Sequence, residues 1–171
     1  MENDLDWLRK LCDLNEEEIA GRYKYLGEGI SRKVFAIDDD YVIKLAKDSD
    51  GYHQNRVEQY VYTQVNEHLR KYLCPLILFT PKCIIMTRAQ PLSEIIKDKS
   101  VNIKTIRQEK TACRDLNYLA KKYYLLYDDI IDTSSWGKLE DENVLIDYGC
   151  TSEEGDHYYD FLFWLYGLCD V

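Results

Sequence analysis

Apolar residues change their spacing along the first part of the chain, from helical to strand-like. Leu5, Leu8 and Leu11 recur at helical spacing, and a second short helix is expected in "NEEEIAG". From residue 23 to residue 46 the apolar residues form the short runs "YKYL", "VFAI" and "YVIKLA", with the turn-prone "DDD" before the last. These runs predict three strands, of which the last two form an antiparallel hairpin.

The second part of the chain mixes longer helices with short strands. A helix is predicted over residues 53–72, because Val57, Val61, Val65 and Leu69 make one apolar face. "CPLILF" and "CIIMTRA" predict two strands, "PLSEIIKD" a short helix and residues 100–126 a long helix with Ser100 or Asn102 as N-cap. A short buried strand in "NVLIDYG" and a closing helix from about Tyr158 complete an α+β order.

Composition narrows the class of protein. Hydrophobic residues make up 46% of the 171 positions, which excludes a disordered chain. The net charge of −9 argues against direct nucleic-acid binding, which needs clustered Lys and Arg. The six cysteines form no CxxC pair and thus no zinc signature. Scattered thiols, an acidic N-terminus without a signal region and no bilayer-length apolar stretch predict a cytoplasmic protein without a membrane partner.

Two glycines lie one residue apart in the turn between the first two predicted strands. Gly27 and Gly29 belong to "LGEGISRKV". Glycine lets a backbone approach a phosphate closely, because it has no Cβ. The same spacing also suits a simple hairpin turn, and the motif alone does not separate the two interpretations.

A lysine interrupts the third predicted strand. Lys44 follows Ile43 and precedes Leu45, so its side chain points to the opposite face from theirs. A buried ammonium needs a partner, and Glu58 on the predicted helix is the candidate. Such a pair would direct the ammonium towards a phosphate. The alternative is that Lys44 extends to solvent and Glu58 is a surface carboxylate.

A carboxylate follows the last predicted strand. Asp147 stands in "LIDYG", directly after apolar residues and before a glycine turn. It would reach a metal, a cleft or a capping amide. The alternative is an aspartate that only caps the turn.

The order of these features resembles the protein kinase superfamily: G-x-G, a valine, "VIK", a glutamate, a strand ending in "MTRA", and "DYG" behind an apolar strand. The similarity runs from about residue 23 to residue 149. It implies a miniature kinase-like domain with an N-terminal helical extension (1–22), an N-lobe of antiparallel sheet plus one helix (23–89) and a reduced helical C-lobe (90–171). On that resemblance the nucleotide-binding residues would be Gly27, Gly29, Val34, Lys44 with its partner Glu58, and the hinge residues Thr87 and Ala89.

The resemblance also assigns catalytic and metal-binding roles in the second half of the chain. Asp147 would be a magnesium ligand, and the family's spacing places the catalytic base at Asp129 and the metal-binding asparagine at Ser134. The sequence departs from the family here, because "YDD" stands where "HRD" is expected. Arg32 also replaces the third loop glycine. Asp132 or a water would then compensate for Ser134; the alternative for residues 127–137 is an acidic loop without catalytic function.

The resemblance implies two functions of different classes. The first is a small phosphotransferase of serine/threonine type, which binds ATP and Mg²⁺ and acts on a protein hydroxyl. The second is a pseudokinase that regulates or inhibits a protein partner, as kinase-like proteins of phages and mobile elements do. Only 22 residues follow Gly149, where kinases usually have the helices that dock peptides; this length and the lost "HRD" favour the second function. The retained Lys44, Glu58 and Asp147 favour the first, or at least nucleotide binding.

Overall fold

A computed structural model describes residues 2–168, with side chains from residue 5 onwards. The chain divides into two compact units. The first consists of Met1–Gln59 and Pro75–Arg88, and the second of Tyr60–Cys74 and Ala89–Val171. The fold is α+β, with an antiparallel five-stranded sheet and several helices, as the sequence predicts.

The first unit is built around the five-stranded sheet, whose strand order is β1-β2-β3-β5-β4. All neighbouring strands are antiparallel. The elements of this unit are α1 (Glu2–Cys12), α2 (Glu16–Arg22), β1 (Lys24–Glu28), β2 (Arg32–Ala36), β3 (Tyr41–Ala46), β4 (Leu76–Phe79) and β5 (Cys83–Thr87). Helix α3 (Ser49–Gln64) begins in the first unit and ends in the second.

The two faces of the sheet carry different residues. Leu8 and Leu11 of α1 and Ile19 of α2 form one hydrophobic core with Ile43 and Ile85 of the sheet. The first 22 residues therefore supply part of the core of the first unit. Because neighbours along a strand alternate between faces, this core leaves Lys44 and its cross-strand partners on the opposite face.

The second unit is mainly helical with a small sheet of order β6-β7-β8. Its elements are α4 (Glu67–Arg70), β6 (Gln90–Pro91), a 3-10 turn (Leu92–Glu94), α5 (Ile103–Ile106), α6 (Ala112–Lys122), α7 (Tyr127–Ile131), a second 3-10 turn (Thr133–Ser135), β7 (Trp136–Leu139), β8 (Glu142–Leu145) and α8 (Glu153–Leu165). Trp136, Tyr159 and Leu116 are among its fully buried side chains.

Two predicted helices are shorter than expected. The helix over residues 53–72 is wrong beyond Gln64, because the side chain of Asn66 accepts a hydrogen bond from the Leu69 amide and begins α4. The helix over residues 100–126 is wrong across residues 107–111, where Arg107 is extended and separates α5 from α6, and beyond Lys122, where α6 ends. Asn102 is confirmed as an N-cap, since its side chain accepts a bond from the Lys104 amide.

Three other boundaries also differ. The helix expected in "PLSEIIKD" is a single 3-10 turn, and the strand in "NVLIDYG" ends at Leu145. The last helix begins earlier, at Glu153, because Ser152 caps it through the Gly155 amide. Within residues 2–168, none of the helices has the length and apolar character needed to cross a bilayer.

Candidate functional site

The glycine turn between β1 and β2 is held by a defined set of bonds. Gly27 has a φ of +155° and lies at a register shift between the two strands. This backbone conformation favours glycine. The Gly29 amide donates to the Arg32 carbonyl at 2.9 Å, which closes the turn. Lys47 then fixes it from the end of β3, since its ammonium donates to the Gly29 carbonyl at 2.7 Å and pairs with Glu28 at 2.7 Å.

Lys44 and Glu58 form the ion pair that the sequence suggests. Lys44 Nζ lies 3.1 Å from Oε1 and 3.4 Å from Oε2 of Glu58. Both side chains are buried, that of Glu58 completely. The alternative of a solvent-exposed lysine and a surface glutamate is therefore wrong. Because burial strengthens electrostatic interactions, the ammonium is held firmly on the face opposite the core formed with α1.

Arg32 is the residue of this cluster that sequence reasoning missed. One guanidinium nitrogen lies 2.8 Å from Glu58 Oε1, and another lies 3.2 Å from Asn55 Oδ1. Asn55 in turn donates to the Pro81 carbonyl at 2.9 Å. Asn55 and Glu58 are three residues apart and so share one face of α3. The three-residue spacing of Asn55 and Glu58 on a helix, together with an arginine at the start of a preceding strand, is the sequence signal that could have indicated the contact with Arg32.

An apolar surface continues from Lys44 along the same face of the sheet. Antiparallel register pairs Val34 with Lys44, and it pairs Val42 with both Ala36 and Met86. Residues directly opposite in such pairs share a face. Val34 and Val42 are half-buried, so this face offers apolar surface beside a cation. The expected nucleotide contact Val34 belongs to it, whereas Val42 was not predicted.

The two expected hinge residues stand on either side of a unit boundary. The chain leaves the first unit after Arg88 and enters the second at Ala89. The Thr87 amide donates to the Pro75 carbonyl at 3.0 Å within the first unit. In the second unit, a Cβ placed on Gly137 would lie 2.8 Å from the Ala89 Cβ. Ala89 is therefore packed closely against β7.

In the second unit, Asp147 lies beside the turn that contains Ser134. Two amides that follow β8 share one acceptor. The amide nitrogens of Ile146 and Asp147 lie 2.8 and 3.4 Å from the Ser135 carbonyl oxygen. The Ser134 hydroxyl donates to Asp132 Oδ1 at 2.6 Å, and the Ser134 amide donates to the same oxygen at 2.8 Å. The hydroxyl proton of Ser134 is thus directed to Asp132.

Asp129, the expected base, is part of a short helix. Residues 127–131 form α7, so the expectation of an acidic loop is wrong for this stretch. Asp128 and Asp129 occupy the first turn of α7, where carboxylates interact favourably with the helix dipole. Asp129 is half-buried. A helix-stabilising function therefore explains these two acids as well as catalysis does.

The carboxylate residues near Ser134 are better suited to bind Mg²⁺ than the serine hydroxyl alone. Mg²⁺ at nucleotide sites is usually held by one or two carboxylates, with phosphate and water oxygens completing the shell. Asp147 and Asp132 are two such carboxylates, and both belong to segments linked through residues 134 and 135. Over residues 2–168, no three His, Cys, Asp or Glu side chains form a metal-binding group on their own.

Comparison with known proteins does not assign this chain to a family: no protein-family model and no curated protein matches it. The kinase resemblance therefore stays a prediction. The candidate site in the first unit consists of a glycine turn, a buried Lys44–Glu58 pair and an apolar surface. The candidate site in the second unit consists of two aspartates beside the turn that contains Ser134.

Proposed function

We propose that the chain is a kinase-like protein that binds ATP with Mg²⁺ and transfers a phosphoryl group to a protein hydroxyl. The observation that carries the proposal is the buried pair of Lys44 on β3 and Glu58 on α3, next to the glycine turn of residues 27–29. A strand lysine that is oriented by a helix glutamate is the arrangement by which kinase-type folds present an ammonium to nucleotide phosphates.

Each candidate residue then has a defined task. In the first unit, Gly27 and Gly29 let the backbone approach the phosphates, Lys44 binds them and Glu58 orients Lys44. Val34 and Val42 contact the adenine, with Thr87 and Ala89 as the hinge. In the second unit, Asp147 and Asp132 would hold Mg²⁺, an ion that neutralises phosphate charge in phosphoryl transfer. Asp129 orients the acceptor hydroxyl.

Nucleotide binding is tested first, by thermal stability during titration with MgATP. The wild-type chain should show a rise in Tm that grows with ATP concentration, because a ligand that binds only the folded state stabilises it. Lys44→Ala should abolish this rise. Lys33→Ala is the matched control, since Lys33 pairs with Glu16 and faces the other side of β2. No shift of the wild-type Tm at millimolar ATP would refute the proposal.

Phosphoryl transfer is tested separately, with ATP labelled on its γ-phosphate. Transfer to the protein itself, or to proteins of a lysate, should be lost in Asp147→Ala and strongly reduced in Asp129→Ala. Transfer that is unaffected by Asp147→Ala would refute the metal assignment. ATP binding without any transfer would exclude the phosphotransferase and leave a pseudokinase.

A second candidate function, binding and regulation of a protein partner, is favoured by the surface of α8. The side chains of Phe161, Trp164, Leu165 and Tyr166 are each about 60% exposed or more. Exposed apolar residues in a run are typical of interaction surfaces. The first turn of α8 carries Glu153, Glu154 and Asp156, so charge complementarity favours a basic amphipathic partner. Trp164→Ser should then weaken binding of a basic amphipathic peptide without changing the Tm.

A further inference from the structure

Arg32 stands where the family resemblance expects a glycine, and its side chain turns into the protein. The residue is 4% exposed. Register pairs Arg32 with Ala46, and Val34, two positions along the same strand, with Lys44. Arg32 and Lys44 therefore share one face of the sheet, and both contact Oε1 of Glu58, at 2.8 and 3.1 Å. Two cations thus converge on one buried carboxylate at the end of the glycine turn.

We propose that Arg32 is a second phosphate ligand, which leaves Glu58 when a nucleoside polyphosphate binds and then holds the phosphates together with Lys44. This inference rests on the nucleotide-binding function proposed above. The inference narrows the expected ligands to nucleoside di- and triphosphates, because a site with two cations favours these over monophosphates.

The exchange of partners is consistent with the electrostatics of the cluster. The planar guanidinium of arginine matches the oxygen spacing of phosphate as well as that of carboxylate. A polyphosphate carries more negative charge than the carboxylate of Glu58, and in the exchange Arg32 would also leave Asn55 Oδ1, which lies 3.2 Å away. When Arg32 leaves, Glu58 keeps its bond to Lys44, which lies 3.1 Å away. The buried carboxylate of Glu58 therefore still has a cation as its partner.

The main chain on both sides of Arg32 is held by hydrogen bonds. The Arg32 carbonyl accepts the Gly29 amide at 2.9 Å, and the Ser31 carbonyl accepts the Lys47 amide at 2.9 Å. These bonds fix the main chain on both sides of the Arg32 side chain. The proposed movement is therefore a rotation of the Arg32 side chain about its own bonds, from Glu58 to a phosphate beneath the turn.

The rival interpretation is that Arg32 fills the phosphate position and blocks it. The two interpretations predict changes of opposite sign, which isothermal titration calorimetry of the full chain with MgATP, MgADP and AMP separates. If Arg32 binds phosphate, Arg32→Ala should weaken ATP binding by about tenfold or more, and AMP binding much less. Arg32→Lys, which keeps the charge but not the planar guanidinium, should have an intermediate ATP affinity. Lys33→Ala should bind ATP as tightly as the wild type.

Each outcome of this titration decides one question. ATP binding by Arg32→Ala that equals or exceeds that of the wild type overturns the Arg32 assignment while leaving the nucleotide site intact. Failure of the wild-type chain to bind ATP overturns the proposed function and this inference with it. If Arg32→Ala does not fold, NMR of arginine Nε–H groups in the wild type replaces it, with the Arg32 signal identified by its loss in Arg32→Lys. An Arg32 signal that does not shift at saturating ATP would then overturn the inference.

Discussion

The carboxylate of Asp115 accepts a hydrogen bond from the phenol of Tyr72 at 3.0 Å in the interior of the second unit. The same carboxylate contacts Thr111 Oγ1 at 2.7 Å and His68 Nε2 at 2.8 Å, and it is 5% exposed. Burial raises the pKa of Asp115, but the hydrogen bonds from Thr111, Tyr72, His68 and Arg114 together lower that pKa to about 2. The network thus favours the ionised carboxylate.

Because of this shift, the stability of the second unit should depend on pH in the acid range. The pKa of Asp115 is lower in the folded state than in the unfolded state, where it is about 3.9. Its contribution is therefore complete above about pH 5 and is lost as the pH falls towards about 2. Asp115→Asn should lower the free energy of unfolding at pH 7 by about 1 to 2 kcal/mol. Urea denaturation followed by circular dichroism at pH 7, 5, 4 and 3 measures the difference.

The gap between wild type and Asp115→Asn should narrow steadily below pH 4. Asp141→Asn, which changes an exposed carboxylate in the turn between β7 and β8, should have little effect at any of these pH values. A gap that stays constant down to pH 3 would mean that the substitution acts through packing and not through ionisation.

The elements of the first unit follow from the sequence because its local signals agree with one another. Short apolar runs between turn residues predict β1 to β5. The alternation of side chains along β3 predicts the face of the sheet from which Lys44 contacts Glu58 of α3. Val57 is fully buried, as the apolar face of the predicted helix required. Lys44 was informative because a lysine within an apolar strand needs a partner, and one helical carboxylate was placed to supply it.

The second unit was harder to predict because distant contacts override local preference. The helical pattern continues through residues 107–111, yet Arg107 is extended and donates to the Asn143 carbonyl at 2.6 Å. Its guanidinium also lies 4.8 Å from the centre of the Tyr72 ring. These partners are more than thirty residues away in sequence, so no local spacing indicates them. Strand β7 was missed for a different reason: its hairpin with β8 is local, but residues 127–137 were interpreted through their acidic residues and the kinase spacing.

Glu58 should be essential for the stability of the first unit. Glu58→Gln keeps the shape of the side chain but removes the charge that two buried cations, Arg32 and Lys44, share. Loss of one partner of a buried ion pair typically costs about 3 to 5 kcal/mol, and urea denaturation should show a decrease of that order. Glu16→Gln is the matched control, because the pair of Glu16 and Lys33 is partly exposed and such pairs contribute about 1 kcal/mol or less. Equal losses in the two variants would contradict the central position of Glu58.

The two glycines of the turn should respond differently to alanine. Gly27 has a positive φ, so Gly27→Ala should lower the free energy of unfolding by about 1 kcal/mol. Gly29 has no positive φ, and a Cβ there would meet no atom of the described chain within 4 Å. Gly29→Ala should thus leave stability unchanged within about 0.5 kcal/mol. If phosphates approach this turn, the same variant should weaken ATP binding, and unchanged ATP affinity would argue against a phosphate-binding turn.

At Gly51, α3 lies very close to the backbone next to β2 and β3, the strands that carry Arg32 and Lys44. A Cβ on Gly51 would lie 2.4 Å from the Ser31 carbonyl oxygen and 2.8 Å from the Ala46 Cβ. The Ser31 oxygen cannot yield easily, because it already accepts the Lys47 amide at 2.9 Å. Alanine favours a helix over glycine by about 1 kcal/mol, but the clash with backbone should exceed this gain. We therefore expect Gly51→Ala to destabilise the chain by about 1 to 3 kcal/mol.

The same substitution in α2 supplies the control for Gly51 and should have the opposite sign. Gly21 also lies in a helix, but a Cβ there would meet no described atom within 4 Å. Gly21→Ala should gain part of the helical preference of alanine and stabilise the chain by up to about 1 kcal/mol. Urea denaturation of both variants under identical conditions compares them directly. Stabilisation by Gly51→Ala would mean that α3 can move away from β2 and β3 without cost, which would contradict a firmly held Glu58.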